Sequence, residues 1–189
     1  MSVLSHLGEA FVAVADSLSE GAHPHGHLRR LTAYCVDLLD LPAAGILLAD
    51  PHGDLHTVIA SDARTDLLGG LAVEHAQGPG VEAFWTGTVR TDIDLTTERA
   101  SDAWPVFAPR ARDAGFRRVH ALALRRQARV IGSLSLFQSD TAPLDREDIA
   151  LAQALADVAT IAHLQHRTLD GYRRELARLQ DPQGYAAPP

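Results

Sequence analysis

The stretch from Trp104 to Phe137 constrains the fold more than any other part of the sequence. Trp104, Phe107 and Ala111 recur at three- and four-residue spacings. Two apolar runs follow, Val119 to Leu124 and Val130 to Phe137, parted by the polar turn Arg125-Arg126-Gln127. This is the pattern of a helix feeding a two-stranded hairpin. A second hairpin is predicted upstream, from Ala43 to Ala49 and from Leu55 to Ala60. Its turn, Asp50-Pro51-His52-Gly53, supplies both fixed and permissive backbone angles. With 46% hydrophobic side chains in 189 residues, the chain can bury one sizeable core around these strands.

Helices account for most of the rest. Leu4, Leu7, Phe11, Val14 and Leu18 step by three and four, which predicts an amphipathic first helix. The segment Gly21 to Gly26 breaks it, and Leu28, Leu31, Cys35 and Leu38 restart the period in a helix ending near Leu41-Pro42. Between the hairpins, Arg64 to His75 reads as a helix with Leu67, Leu68 and Leu71 inward. Gly78-Pro79-Gly80 stops it, Val81 to Thr86 forms a short helix, and Val89 to Ile93 forms a charged edge strand. Asp94 to Asp102 reads as a polar loop. Five of the seven Phe and Trp residues lie between Phe84 and Phe116, so the short helices here are expected to form an aromatic lid enclosing a cavity on the sheet.

The last helix is predicted from Asp145 to about Gln180, with Asp145 and Asp148 at its N-terminal end. Leu151, Leu155, Val158, Ala162, Gln165, Leu169, Tyr172, Leu176 and Leu179 repeat with strict four-three steps, which is a coiled-coil seam. Beyond residue 166 the seam outruns a single domain and needs a partner helix, most simply that of a second copy. Gly171 weakens it by about 1 kcal/mol. The expected dimer interface is Leu7, Phe11 and Val14 with Leu155, Val158, Ala162, Leu169, Tyr172 and Leu176. Residues 1–25 are expected to form an N-terminal helix, loop and dimerisation segment, 26–165 the domain, and 166–189 a coiled-coil extension whose tail, from Asp181, should be disordered.

Several function classes are disfavoured. The formal net charge is −7 and all seventeen basic side chains are arginine, which argues against a nucleic-acid footprint. The lack of lysine suits a GC-rich bacterial genome. The single cysteine, Cys35, allows no internal disulfide, and its place on a helical stripe reads as core packing rather than a nucleophile. No signal peptide or membrane span is visible, so a cytoplasmic location is expected. The tract His23-Pro24-His25-Gly26-His27 could chelate a metal, but it reads more simply as a solvated interhelical loop, because its ligands come from one flexible segment. No Ser/His/Asp or metal-ligand spacing stands out, and no cofactor is expected.

The order helix, hairpin, short helices, hairpin, long helix resembles a GAF domain, the small-molecule sensor fold related to PAS domains. The stretches LPAAGILLADPHGDL (41–55), GPGVEAFWTGTV (78–89), WPVFAPRARDAGF (104–116), VHALALR (119–125), VIGSLSLF (130–137) and DREDIALAQALADVATI (145–161) are similar to the GAF domains that precede the ANTAR output module of actinobacterial transcription antitermination regulators. The resemblance spans about residues 26 to 168. It implies an α+β fold, with an antiparallel β-sheet, long N- and C-terminal helices on one face, and short helices and loops over the ligand face. Two departures stand out. No ANTAR-like segment follows the long helix, so output would come from another protein or domain. Members of that group also often carry a cysteine after the Gly-Pro of the second stretch, where this chain has Gly80.

On this basis the expected function is a non-enzymatic sensory domain that binds a small molecule and signals through a helical homodimer. A ligand-free interaction scaffold is the alternative, with a haem or other cofactor sensor behind it. Candidate ligand contacts are Trp104, Phe107 and Phe116 as apolar walls, Arg110 for an anionic group, and His120. His120 lies mid-strand, where it is either a ligand contact or a core histidine with satisfied ring nitrogens.

Overall fold

The computed structural model describes residues 25–140 and 144–180, together with Gly8. The expected first helix, with Leu7, Phe11 and Val14, lies outside the described residues, as does the tail from Asp181. The elements are α1 (Gly26–Leu38), β1 (Ala43–Ala49), β2 (Leu55–Ala60), α2 (Ala63–His75), α3 (Pro79–Thr86), β3 (Arg90–Asp94), α4 (Glu98–Ala103), α5 (Phe107–Asp113), β4 (Arg118–Arg126), β5 (Arg129–Gln138) and α6 (Arg146–Gln180). The strands form one five-stranded sheet in the order β2-β1-β5-β4-β3, with every neighbouring pair antiparallel. Both predicted hairpins are present, and the expected α+β sheet is observed.

Strand alternation divides the interior into two layers. On one face Ile46, Leu48, Leu122, Leu124, Leu134 and Leu136 meet Leu28, Leu31 and Cys35 of α1 and Ala152, Leu155 and Ala159 of α6. On the other face Ala43, Leu47, Val119 and Phe137 meet the lid, which contributes Leu68, Val81, Trp104, Phe107 and Phe116. The small residues of α6 at 152, 156, 159 and 162 let that helix lie close to the sheet.

Three expectations change. The presumed loop from Asp94 to Asp102 contains α4, whose N-cap Thr97 accepts a 3.2 Å hydrogen bond from the Ala100 amide. The inward stripe of α2 is Thr65, Leu68 and Ala72, while Leu67 is exposed. The seam of α6 has two different environments. Leu155 and Ala162 are buried in the chain's own core and unavailable to a partner, because α6 must cover the sheet before it projects from it. Leu169, Tyr172, Leu176 and Leu179 are exposed. Asp145 caps α6 as expected, its Oδ1 accepting from the amides of Glu147 and Asp148 at 2.8 Å each. Among the described residues, no helix is long and apolar enough to cross a membrane.

Candidate functional site

The lid encloses very little space. Beneath α2, α3 and α5 lies a cavity of about 20 Å³, bordered by Gly45, Leu47, Thr65, Gly80, Phe107 and Ser135 among others. That volume holds about one water molecule. The sheet is small-surfaced here: Gly45 pairs with Ser135, Leu47 with Ser133, and Ala121 and Ala123 continue the row on β4. Helix α3 settles onto this row through Gly80. A Cβ added to Gly80 would lie 2.8 Å from Ser135 Oγ and 3.2 Å from Ser133 Oγ, so the lid closes where a larger residue would hold it off. A cysteine in this position would displace one of those serines.

Two hydroxyls at this contact find no protein partner, Thr65 Oγ1 and Ser133 Oγ, although both side chains are buried. Buried polar groups without a protein partner are uncommon, and space for one water molecule lies beside Thr65. The signal was present in the sequence, as Ser133 and Ser135 two residues apart in an otherwise apolar strand.

The structure distributes the sequence candidates widely. Phe107 borders the cavity. Trp104 is buried at the outer edge of the lid, where its Nε1 donates to Glu82 Oε1 at 2.9 Å. Glu82 also pairs with Arg90 at 2.9 Å, so one carboxylate ties α3 to β3 and to the residue that ends α4. Trp104→Phe removes a hydrogen bond to a charged acceptor and is expected to cost about 1.5 kcal/mol, measured as a lower urea midpoint with unchanged slope. Phe116 is wholly buried against Phe137 and does not border the cavity. Arg110 is exposed on α5, away from the cavity.

His120 occupies the opposite side of the sheet from the lid. It shares its face with Leu122 and Leu124, while the cavity lies on the face of Val119, Ala121 and Ala123, so strand alternation keeps the imidazole out of the cavity. Both ring nitrogens are occupied. The Asp92 amide donates to Nδ1 at 3.1 Å, which places the ring proton on Nε2, and Nε2 donates to Gln138 Oε1 at 2.9 Å. Burial pushes its pKa below the usual histidine value. Cys35 is buried in the helix-covered layer, and burial pushes its thiol up to about 12, so it carries no thiolate at neutral pH.

The His-rich segment requires a correction. His23 and Pro24 lie outside the described residues, but His25 stands at the N-cap position of α1 and His27 is buried in its first turn, because α6 brings His163 and His166 against them. His27 Nε2 lies 3.1 Å from His163 Nδ1. Burial lowers the pKa of His27 to about 4 and of His163 to about 3, so both rings are neutral at pH 7.

A wider opening lies where α6 leaves the domain. A groove of about 650 Å³ is bordered by Arg126 at the β4–β5 turn and by Leu164, Gln165, Thr168 and Leu169. It runs into the exposed half of the seam.

The GAF domain family model matches residues 22–162, and the chain belongs to this family. No curated protein matches the chain. Among solved structures, it is similar to the GAF domain of an Acinetobacter phosphoenolpyruvate-protein phosphotransferase, with 9% identity, 89% of this chain and 97% of that chain covered, and a TM-score of 0.62. It is similar to a GAF domain/HD domain protein from Geobacter sulfurreducens, with 15% identity, coverage of 80% and 98%, and a TM-score of 0.64. It is also similar to free methionine-R-sulfoxide reductase from Neisseria meningitidis, solved in complex with its substrate, with 16% identity, coverage of 86% and 91%, and a TM-score of 0.61. At these identities the likeness concerns the fold.

Proposed function

We propose that this chain is a non-enzymatic GAF regulatory domain that acts as a homodimer, with α6 carrying the state of the domain along a seam between two copies. One observation carries this reading. The same four-three stripe that buries Leu155 and Ala162 in the domain continues past it, leaving Leu169, Tyr172, Leu176 and Leu179 at 49%, 66%, 57% and 75% exposure. A projecting segment of about 14 residues is marginally helical in water by itself, and an apolar stripe on it is covered most simply by an identical helix. The groove beside Leu164 and Leu169 continues that stripe toward the domain and offers a seat for the partner's side chains.

The cavity beneath the lid is the proposed sensory site. Its unpartnered Thr65 hydroxyl, with that of Ser133 close by at the Gly80 contact, selects a small polar molecule, and at about 20 Å³ such a molecule can enter only by lifting α3. Because α3 rests on β4 and β5, and α6 packs against β4 from the other side, that displacement would reach the base of the seam. The tight packing of the lid also supports a second reading, an interaction scaffold that binds no ligand. The resemblance of the motif series from 41 to 161 to the GAF domains of antitermination regulators supports a regulatory role whose output is supplied by another protein or domain.

Native mass spectrometry of the full chain from its host tests both parts. The expected result is a species of two chains with an added small-molecule mass lost on activation. Two chains with no added mass would favour the scaffold, and a single chain would refute the dimer.

A further inference from the structure

Four histidines, distant in sequence, meet on the side of the domain where α6 begins to project. We propose that His25, His27, His163 and His166 form a binding site for one divalent late transition-metal ion of the zinc class, joining the start of α1 to the exit of α6. This site is separate from the lid cavity and from the seam.

Three observations support it. First, the spacing suits a shared ion. With Zn–N bonds of about 2.0–2.1 Å, tetrahedral donors lie roughly 3.3 Å apart, and His27 Nε2 and His163 Nδ1 are 3.1 Å apart. The ring centroids are 5.2 Å apart for His27 and His163, 5.8 Å for His25 and His163, and 6.1 Å for His27 and His166. Second, two further ring nitrogens, His25 Nδ1 and His166 Nε2, are buried and have no partner in the protein. Third, His166 Nδ1 lies 2.8 Å from Asp170 Oδ2. A carboxylate accepting from one ring nitrogen fixes the tautomer and leaves the other as a lone-pair donor, which is the outer-shell arrangement of histidines that ligate metals.

Among the described residues, no group of three or more such side chains is already arranged to hold an ion. Closure requires the His27–His163 hydrogen bond to open. The ring that donates in it moves its proton to its other nitrogen, and both facing lone pairs then turn to the metal, with no net proton released. The charges facing the cluster are mixed: Arg29 stands near His25 and Arg167 near His163, both opposing a cation, while Asp170 favours one. His56 also faces His25.

The test uses Co²⁺ as the probe on the full chain with any affinity tag removed. The expected result is one Co²⁺ per chain, with the visible absorption of four-coordinate cobalt, displaced by Zn²⁺. Asp170→Asn, at a position outside the core, should lower the affinity about tenfold or more. His163→Asn should abolish stoichiometric binding, while His75→Ala, remote on α2, should leave it unchanged. Wild-type affinity in both Asp170→Asn and His163→Asn would overturn the site, as would wild-type protein that shows only the spectrum of six-coordinate aquo cobalt.

Discussion

Gly132→Ala is expected to destabilise the domain by about 3 kcal/mol or more. Gly132 lies in β5 between two neighbours, opposite Leu48 of β1 and Leu124 of β4. An added Cβ would run into the carbonyl oxygen of Leu47 and lie 3.1 Å from Leu48 Cδ2. The obstacle is backbone, so no rotamer change relieves it. The strand cannot retreat because β4 holds its other edge. A small domain has about 5–15 kcal/mol to lose, so this change removes a large share. The measurement is the urea midpoint and Tm of the purified variant. A loss within about 0.5 kcal/mol of zero would mean that β1 and β5 do not approach as described.

Phe116→Ala should cost about 3–5 kcal/mol. The ring is fully buried, sits 4.8 Å from that of Phe137, and carries the Arg64 guanidinium 4.8 Å above it. Arg64 in turn donates to the Ala114 carbonyl at 3.0 Å and pairs with Asp62, the N-cap of α2. Removing the ring therefore leaves a void and also frees the arginine that links α2 to the end of α5. Hydrogen exchange should rise first in α2 and α5. Phe116→Leu should recover most of the loss, whereas an equal loss in both variants would point to a specific role for the aromatic ring.

The strands were legible because their apolar runs are short, bounded by turn residues and of matching length; β1 and β2 fall where the sequence placed them. Helix α4 was hidden because its six residues carry no apolar period, and a threonine cap with tertiary contact holds it. The placement of His120 was readable in principle. Leu122 and Leu124 share its parity and are the large aliphatic residues that a helix layer requires, while Ala121 and Ala123 mark the crowded lid side. The histidine cluster was not readable, since its hydrogen bond joins residues 136 apart and no local pattern announces it. The lid was correctly expected to be aromatic. How nearly it closes depends on Gly80 meeting Ser133 and Ser135, a fit that composition does not encode.

Light-scattering chromatography of Leu169→Asp/Leu176→Asp beside the wild type reads directly whether the exposed half of α6 holds two copies together. Both substitutions lie outside the domain core, so cooperative unfolding of the domain should be preserved even where the freed end of α6 loses helix. The predicted result is a wild-type mass of two chains and a variant mass of one. A variant that still elutes as a dimer, or a wild type that is already monomeric, would exclude pairing through α6.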